Sequence, residues 1–355
     1  MMKIQIQQLG SAALYGTAGF CIFLMLLNRL LILMPDSKGK APIILTTFVL
    51  IVGGGAVFGF FFHTLPWVLA PLALLFLILL GEVRRSFIRR SCAGTGPVNT
   101  TPHTMDIRNP ITTTDLIVHR YELPCPKWNG TPLRIVQITD LHVHLNLPLE
   151  YYQKVIAVAE EAQPDIAIFT GDFISNLNAL AKLRQVLRPI GRLETYAVLG
   201  NHDYWTNPDS VGAVIRESKI HLLSDESVSL QVGTQKLIVT GYDYPWGTKQ
   251  KSISHQDNGI LHIVLSHTPD NIYRLSESSA DLVFSGHYHA GQIRVPMLGS
   301  IVVPSVYGRR FDHGHFVIND THLFVASGIG AANPPVRIYC QPDIFVVDIV
   351  PQKKD

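Results

Sequence analysis

The chain has 355 residues, of which 47% are hydrophobic and 16% charged, and its formal net charge is +2. Its mean hydropathy of +0.22 and low charge argue against an ordinary soluble protein, in which about 25% of residues are charged. The near-neutral charge gives no indication of nucleic acid as a partner. Four scattered cysteines without a CxxC pair argue against a disulfide or zinc-ribbon framework.

The first quarter of the chain contains three apolar runs, Leu9–Met34, Pro42–Phe62 and Leu65–Gly81. Each approaches the ~20 residues that a helix needs to cross a hydrocarbon core. Arg29 interrupts the first run late enough to reach an interface, and the triplet at 53–55 is glycine, which permits close helix packing. Length and clustering favour membrane-spanning helices over the alternative of buried soluble helices.

Basic residues set the expected orientation. Four arginines lie within residues 82–90, directly after the third run, and Lys38 and Lys40 fall on the same side if all three runs span. The positive-inside rule therefore predicts that residues 1–90 anchor the chain in a membrane with the large C-terminal part in the cytoplasm. Two spans instead of three, or a dominant Lys3, would reverse this orientation.

The rest of the chain divides into a linker, residues 91–115, and a catalytic domain, residues 116–355. Strand and helix patterns alternate at the start of this domain, which is typical of parallel βαβ units. The predicted strands are 116–123, 133–139, 165–169 and 195–199, and the predicted helices are 149–162 and 179–188. Short β runs follow residue 220 and predict a second sheet. The fold class is therefore α/β, with two packed mixed sheets flanked by helices.

Five short motifs follow apolar runs in this domain. They are Asp140-Leu141-His142, Gly171-Asp172, Gly200-Asn201-His202-Asp203, His267 and Gly286-His287-Tyr288-His289. Strand ends meet at one edge of an open α/β sheet, where ligands bind. Carboxylate, amide and imidazole ligands without thiolate suit manganese, iron or zinc. Two such ions polarise a phosphoryl oxygen and convert a bridging water to hydroxide, so we predict a binuclear metal hydrolase.

Each motif has an expected role in this site. Asp140 and His142 supply a carboxylate and an imidazole to one ion, and Asp172 is placed to bridge both. Asn201 offers an amide oxygen to the second ion, and His202, next to a ligand, is placed to protonate the leaving group. The remaining ligands are His267 and His287 at the second ion and His289 at the first.

This constellation resembles the calcineurin-like metallophosphoesterase family, whose pattern is DxH, GD, GNH(D/E), H and GHxH in that order. The resemblance extends over residues 130–350 or so and implies an αββα sandwich with two divalent ions. In the family, the first ion is bound by the residues matching Asp140, His142, Asp172 and His289. The second is bound by those matching Asp172, Asn201, His267 and His287, with His202 matching the catalytic histidine.

Two further segments, 285–294 and 327–330, look like the bacterial membrane-linked branch of this family. Some members of that branch act on UDP-2,3-diacylglucosamine, a precursor of lipid A, so the resemblance implies a lipid-linked substrate. One position departs from the family pattern: GDxxD is common, and its last Asp orients the catalytic histidine, but Ser175 stands there. Asp203 or a backbone carbonyl is then expected to orient His202.

Several residues outside the motifs have two interpretations. Arg309 and Arg310 are the pair we favour for substrate phosphate, with a solvated surface as the alternative. Arg294 and Arg337 are weaker candidates for the same role. Tyr204-Trp205 either forms a wall of the pocket or packs in the core. Asp312-His313-Gly314-His315 imitates a metal motif but is better interpreted as a turn.

The sequence thus predicts a membrane-anchored hydrolase of phosphoesters or pyrophosphates with two divalent ions, most readily manganese. Its expected partners are a phosphorylated, lipid-linked substrate and membrane lipids, with no nucleic acid. Two alternatives remain open: a phosphodiesterase acting on soluble nucleotides, and a non-enzymatic, metal-loaded membrane scaffold.

Overall fold

The computed structural model describes most of the chain, namely residues 2–31, 34, 37–102, 107–247 and 259–352. Outside the described residues lie 32–33 of the first apolar run, 103–106 of the predicted linker and 353–355 of the predicted catalytic domain. The chain divides into two compact units. The helical unit comprises residues 1–91 and 301–310, and the catalytic unit comprises residues 92–300 and 311–355.

The helical unit contains four helices: α1 (Met2–Leu26), α2 (Lys40–Phe48), α3 (Gly54–Phe61) and α4 (Leu65–Ser91). A π-helical turn at Val49–Gly53 joins α2 to α3, so that the two form one continuous rod. Three stretches are long and apolar enough to cross a membrane, namely Lys3–Leu31, Lys40–Phe61 and Leu65–Ser91. Few of their residues are buried, and large apolar side chains such as Leu50 and Phe61 face outwards. A hydrocarbon environment fits this exposed apolar surface.

Small residues let α1 approach the rod formed by α2 and α3. A β-carbon on Gly59 would lie 2.6 Å from the carbonyl oxygen of Ser11, and one on Gly55 would lie 3.1 Å from that of Tyr15. At Gly54, by contrast, an added β-carbon would meet nothing within 4 Å. Backbones approach this closely only where side chains are small, as in other membrane helix pairs.

Helix α4 extends beyond the apolar run predicted for it. It continues through the arginine-rich stretch to Ser91, and Pro71 lies inside it. Glu82 and Arg85 are one turn apart and form an ion pair, with 2.8 Å between Oε2 and Nε. The charged end of α4 is therefore continuous with the apolar part of the same helix.

The catalytic unit contains fifteen strands in the described residues. They are β1 (Asn99–Thr101), β2 (Ile117–Cys125), β3 (Leu133–Ile138), β4 (Ile166–Thr170), β5 (Thr195–Val198), β6 (His221–Leu222), β7 (Ser227–Val232), β8 (Gln235–Tyr242), β9 (Leu261–Ser266), β10 (Leu282–Ser285), β11 (Arg294–Val295), β12 (Gly299–Ser300), β13 (Gly314–Ile318), β14 (Thr321–Val325) and β15 (Asp343–Pro351). Five helices accompany them: α5 (Leu149–Glu161), α6 (Leu180–Leu187), α7 (Asn201–Thr206), α8 (Pro208–Glu217) and α9 (Ile272–Leu275).

These strands form two mixed sheets, as predicted. The first has the order β1-β2-β15-β3-β4-β5-β6 and the second the order β13-β14-β10-β9-β8-β7, while β11 and β12 pair separately. Helices α5, α6 and α8 pack on the first sheet, where Val136, Tyr152 and Leu183 belong to one core. A second core lies between the sheets and joins Ile168 to Ile263 and Phe284. The predicted sandwich is confirmed.

The apolar runs explain the centre of the first sheet. Strands β3, β4 and β5 are parallel neighbours with almost every residue buried, and helices α5 and α6 make the crossovers between them. Central parallel strands are covered on both faces, which is why their sequences are continuously apolar. The last strand, β15, inserts between β2 and β3, parallel to the former and antiparallel to the latter.

Candidate metal centre

All seven predicted metal ligands lie directly after strands or at the start of α7. Asp140 and His142 follow β3, Asp172 follows β4, Asn201 begins α7 after β5, His267 follows β9, and His287 and His289 follow β10. Each is at most 7% exposed. The carboxyl ends of parallel strands meet at one sheet edge, so residues far apart in sequence converge there.

The carboxylates and imidazoles form two groups that share one residue. The first consists of Asp140, His142, Asp172 and His289, and the second of Asp172, His267 and His287. Within each group, one ligand atom per residue lies within 4.8 Å of every other. Asp172 belongs to both groups, as a bridging carboxylate between two ions must.

Ring nitrogens in the two groups point at the shared carboxylate. His142 Nε2 lies 3.5 Å from Asp172 Oδ2, and His267 Nε2 lies 3.2 Å from the same oxygen. His289 Nε2 is 3.0 Å from His142 Nε2, and Asn201 Oδ1 is 3.0 Å from His267 Nε2. Asn201 therefore lies beside the second group.

A buried oxygen of Asp140 tests whether these residues suit a cation. Oδ2 accepts hydrogen bonds from Thr139 Oγ1 at 2.7 Å and from the His287 amide at 2.9 Å. Among the described residues, Oδ1 has no hydrogen-bond partner although it is buried. Leaving a carboxylate oxygen buried and unsatisfied is costly, and a divalent cation would satisfy it. The oxygen and nitrogen donors present therefore fit manganese, iron or zinc.

The backbone is strained at the ligands. The φ angles of Asp140, His142, Asp172, His287 and His289 are 49°, 38°, 55°, 67° and 50°. A non-glycine residue in this left-handed region costs about 1–3 kcal/mol, and such residues cluster at functional sites. The fold therefore gives up stability to direct these five side chains inwards.

Glycine is required where these turns approach one another. Gly171 has a φ of 95°, and a β-carbon there would lie 2.7 Å from His267 Nδ1. Gly328 has a φ of 80°, and a β-carbon there would lie 2.6 Å from that of Asp140. Any side chain at either position would displace a ligand.

The two carboxylates differ in charge state. Burial raises the pKa of Asp140 to about 7. Burial alone would also raise the pKa of Asp172, but positive charge on His267 and His202 brings it well below its usual range. The bridging carboxylate is therefore ionised at neutral pH.

The histidines divide in the same way. Burial lowers the pKa of His142 to about 3, and that of His287 and His289 well below the usual range. These three rings are neutral at neutral pH, the form that binds metals. Burial would also lower the pKa of His267, but the charge of Asp172 raises it to about 9. The proton on His267 thus balances the negative charge of Asp172, as a bound cation would also do.

Ser175, which departs from the family pattern, supports a metal ligand. Its Oγ lies 2.7 Å from His142 Nδ1, and a ring that binds a cation through Nε2 carries its proton on Nδ1, which would then donate to this oxygen. His267 is held similarly, with Nδ1 donating to the Thr170 carbonyl at 2.6 Å. Such bonds fix the ring orientation and tautomer of metal-binding histidines.

Ring contacts, and not the carboxylate of Asp203, hold the side chain of His202. The carboxylate of Asp203 is buried and accepts hydrogen bonds from the amides of Gly200, Phe173 and Ile174 at 2.9–3.2 Å, so it ties two ligand loops together. Among the described residues, no hydrogen bond reaches the His202 ring. Ring contacts with His142 at 4.7 Å and Trp205 at 5.1 Å hold it instead.

Aromatic residues border the site, and the sequence indicated only some of them. Trp205, 39% exposed, lies beside His202, whereas the Tyr204 hydroxyl donates to Asp243 at 2.8 Å. Trp246 was not predicted, although its ring centroid lies 5.5 Å from that of His267 and 5.2 Å from that of His287. Its position just after β8, the neighbour of β9, was the available signal.

Arg337 has a scaffolding role that the sequence did not reveal. Its fully buried guanidinium donates to the carbonyls of Ser327 at 2.7 Å, Gly328 at 3.0 Å and Gly330 at 2.7 Å. The same group lies 3.4 Å from His289 Nδ1. These bonds hold the glycine loop that packs on Asp140 and use Nε and Nη2 of Arg337.

The favoured substrate arginines lie in the helical unit. Arg309 Nη2 lies 2.6 Å from Glu82 Oε2, and Arg85 Nη1 donates to the Arg309 carbonyl at 3.3 Å. The guanidinium of Arg310 stacks 5.7 Å from the ring centre of Tyr307. Binding of substrate phosphate by Arg309 and Arg310 stays a prediction.

His313, interpreted as a turn residue, lies directly before β13. Its Nε2 is 2.6 Å from Asp343 Oδ2, and His119 Nε2 lies 3.8 Å from the same oxygen. The other oxygen of Asp343 accepts from the Ser327 amide at 2.8 Å. Arg294 also makes internal contacts, donating to the Ala290 carbonyl at 2.8 Å.

Comparison with known proteins places this geometry in a family. Residues 133–291 match the family model of the calcineurin-like phosphoesterases. Phosphodiesterase YaeI of Escherichia coli is 27% identical over 243 residues, which cover 66% of this chain and 88% of YaeI. The uncharacterized metallophosphoesterase YkuE of Bacillus subtilis is 28% identical, with 69% and 85% covered.

A third relative carries a more specific name. UDP-2,3-diacylglucosamine pyrophosphatase LpxG of Chlamydia trachomatis is 28% identical over 221 residues, covering 46% of this chain and 65% of LpxG. The matched family segment contains all seven ligands and His202. The protein therefore carries a calcineurin-like phosphoesterase domain and is a metallophosphoesterase, a hydrolase of phosphoric ester bonds.

Proposed function

We propose that this protein hydrolyses a phosphodiester or pyrophosphate bond of a lipid-linked substrate at the cytoplasmic face of a bacterial inner membrane. The observation that carries the hydrolytic part is the pair of buried ligand groups that share Asp172. No other residue of these groups belongs to both, which supports Asp172 as the residue that would bridge the two ions.

Two divalent ions, manganese by preference, would be held by this set of ligands. The first would take Asp140, His142, Asp172 and His289, and the second Asp172, Asn201, His267 and His287. When bound, such ions polarise the phosphoryl group and lower the pKa of water, which supplies a nucleophile at neutral pH. The chain itself fixes the ligand rings through Ser175 and the Thr170 carbonyl, so little reorganisation is needed.

His202 is proposed to donate the proton to the leaving oxygen. Its ring is half-buried, touches His142 and Trp205, and has no hydrogen-bond partner among the described residues, so neither nitrogen is engaged within the described protein. Its amide donates to Asp172 Oδ1 at 2.8 Å, which keeps the residue beside the shared carboxylate. A general acid must lie within hydrogen-bond reach of the leaving group, and this placement allows it.

Two observations support a lipid-linked substrate. The helical unit has three stretches able to cross a membrane, and LpxG is named as a pyrophosphatase of UDP-2,3-diacylglucosamine. An anchor keeps the enzyme in the plane where a lipid substrate is concentrated, which raises the rate of encounter. We therefore propose UDP-2,3-diacylglucosamine as the first substrate to test, with Arg309 and Arg310 as candidate phosphate ligands.

The test uses the detergent-solubilised protein with Mn²⁺, an aryl phosphodiester and UDP-2,3-diacylglucosamine in parallel, and Asp172→Ala as the inactive control. Turnover of the lipid substrate that depends on metal and on Asp172 supports the whole proposal. Turnover of the aryl ester alone keeps the hydrolase and removes the lipid substrate. Absence of turnover with either substrate would count against the proposed activity.

A second candidate function is hydrolysis of soluble nucleotide diesters, which the name of the relative YaeI favours. In that case the anchor would serve only for location, and soluble substrates would be turned over equally well without detergent. A scaffold without activity is the third possibility. Full cellular function of a His202→Ala variant would favour it over both enzymes.

A further inference from the structure

The helical unit contains a cavity of about 800 Å³. Three segments of the chain form its walls: the C-terminal part of α1, the C-terminal half of α4, and residues 301–310. Asn28 fixes the third wall to the first. Its Nδ2 donates to the Ile301 carbonyl at 3.1 Å and its Oδ1 accepts from the Val303 amide at 2.8 Å.

Positive charge dominates one end of this cavity. Five arginines and a single carboxylate are among its lining residues: Arg29, Arg84, Arg85, Arg309, Arg310 and Glu82. Glu82 lies 2.8 Å from Arg85 and 2.6 Å from Arg309, so its charge is shared by those two. Within the described ranges, Arg29 and Arg84 form no ion pair. The cavity therefore has positive charge that no lining carboxylate balances.

The other end of the cavity is apolar. Leu24 of α1 and Leu74, Leu77 and Ile78 of α4 line it. In α4 the step from Ile78 to Arg84 is six residues, or about 9 Å along the axis at 1.5 Å per residue. Both helices run from apolar to basic in the same chain direction, as a helix does where it leaves the hydrocarbon core for the interface.

We propose that this cavity binds one anionic glycerophospholipid of the bilayer. The phosphate contacts the arginines, since guanidinium groups pair with phosphate through two parallel hydrogen bonds. One acyl chain lies along the leucines of α1 and α4. Free phosphate has no chain for the apolar end, and a zwitterionic lipid has no net charge for the basic end. Arg309 and Arg310 are also the candidate substrate ligands proposed above, whereas Arg29 and Arg84 have no role in the proposed hydrolysis, so the test is made at Arg84.

The test places the full-length protein in nanodiscs containing phosphatidylglycerol and phosphatidylcholine and counts the retained lipids by native mass spectrometry. The wild type is expected to retain one phosphatidylglycerol. Arg84→Ala is expected to weaken retention about fivefold, the effect of one basic residue at an anionic surface. Arg84→Lys should keep most of it. Arg90→Ala is the matched control, because Arg90 lies on the same helix but does not line the cavity.

A second variant tests the apolar end. Leu77→Trp introduces a fluorophore there, and brominated phosphatidylglycerol is expected to quench it more than brominated phosphatidylcholine does. Equal retention of the two lipids, or equal effects of Arg84→Ala and Arg90→Ala, would overturn the proposal. So would displacement of the lipid by millimolar inorganic phosphate, because that result would identify a simple anion site. Unchanged melting temperatures of the variants would show that a loss of lipid is not a loss of fold.

Discussion

At the scale of single residues, the site depends on Asp172. Its Oδ2 lies 3.5 Å and 3.2 Å from nitrogens of the two ligand groups, and its Oδ1 accepts from the His202 amide at 2.8 Å. One side chain therefore positions both groups and the proposed proton donor. The left-handed backbone at this residue, with a φ of 55°, is the conformational cost of that placement.

Replacing Ser175 by alanine tests the hydrogen bond to His142. Loss of the bond leaves the ring free to rotate and change tautomer, and such losses typically lower metal affinity or activity about 10–100-fold. We expect the Mn²⁺ concentration needed for half-maximal activity to rise by that factor. Ser229→Ala, at an exposed position of β7, is the control. If Ser175→Ala requires no more Mn²⁺ than the control does, the bond has no role in metal binding.

A buried histidine away from the site predicts a pH dependence of stability. Burial, assisted by His322, lowers the pKa of His315 to about 4. His315 takes up a proton near pH 6.5 in the unfolded chain but only near pH 4 in the folded protein. The free energy of unfolding is therefore undiminished above pH 6.5 and decreases as the pH falls towards 4. The free energy of unfolding decreases by on the order of 3 kcal/mol over this pH range.

The measurement compares unfolding of the wild type and His315→Gln between pH 7.5 and pH 4.5. The variant lacks the titrating ring, so its stability should fall less steeply with acid. His221→Gln, at an exposed position of β6, should follow the wild type. If the stability of His315→Gln falls with pH as steeply as that of the wild type, protonation of His315 is not the cause of the acid destabilisation.

The sequence predicted the candidate ligands but not the contacts that support them. Motif order and strand ends led to seven predicted ligands, and the structure brings their side chains together because each lies where an apolar run stops. Ser175, Trp246 and Arg337 were missed in these roles, because their contacts depend on tertiary distances that no local pattern encodes. Asp203 was one of two expected partners of His202, the other being a backbone carbonyl, whereas its carboxylate accepts hydrogen bonds from backbone amides.

At the scale of elements, the site is formed by residues that follow strands of both sheets. Strands β3, β4 and β5 were predictable as continuous apolar runs between helices. Helix α8 was not predicted, although Asn207 caps it by accepting from the Ser210 amide at 2.8 Å and Pro208 opens it. The Gly-Asn-His motif just before it predicted a ligand and a proton donor but gave no indication of a helix. Strand β15 was missed because it follows a long irregular segment and pairs with strands more than 200 residues earlier.

Packing of α1 on α3 gives a matched pair of glycine variants. Gly59→Ala places a β-carbon 2.6 Å from the Ser11 carbonyl, whereas Gly54→Ala places one where nothing lies within 4 Å. The backbones must separate in the first case, at a cost of about 1–3 kcal/mol for an overpacked contact. We expect a lower melting temperature in detergent for Gly59→Ala alone. Equal melting temperatures would mean that the close helix approach is absent.

At the scale of the whole molecule, the chain combines an apolar helical unit with a catalytic unit. Residues 301–310 group with the helices although they are more than 200 residues away in sequence. The sequence indicated the candidate membrane spans through length and hydropathy, and composition predicted a linker over residues 91–115, part of which forms β1 of the first sheet. It gave no sign that a late segment returns to the helices, because the bonds of Asn28 to Ile301 and Val303 join distant parts of the chain.

Orientation in the membrane predicts the reactivity of Cys92. This cysteine directly follows α4 and is partly exposed, whereas Cys125 and Cys340 are buried. With the arginine-rich end in the cytoplasm, a membrane-impermeant maleimide should label Cys92 in inverted vesicles and not in intact spheroplasts. A Cys92→Ser variant identifies the labelled site. Labelling in spheroplasts would show the opposite orientation.

The central claim is that two ligand groups sharing Asp172 make this protein a metal-dependent phosphoesterase. The most direct measurement is hydrolysis of an aryl phosphodiester as a function of added Mn²⁺ for the wild type, Asp172→Ala and the surface control Asp209→Ala. We predict saturable activation of the wild type and the control, and more than about a hundredfold loss in Asp172→Ala, exceeding the loss of an outer hydrogen bond. Activity that survives in Asp172→Ala, or that needs no added or bound metal, would contradict the account.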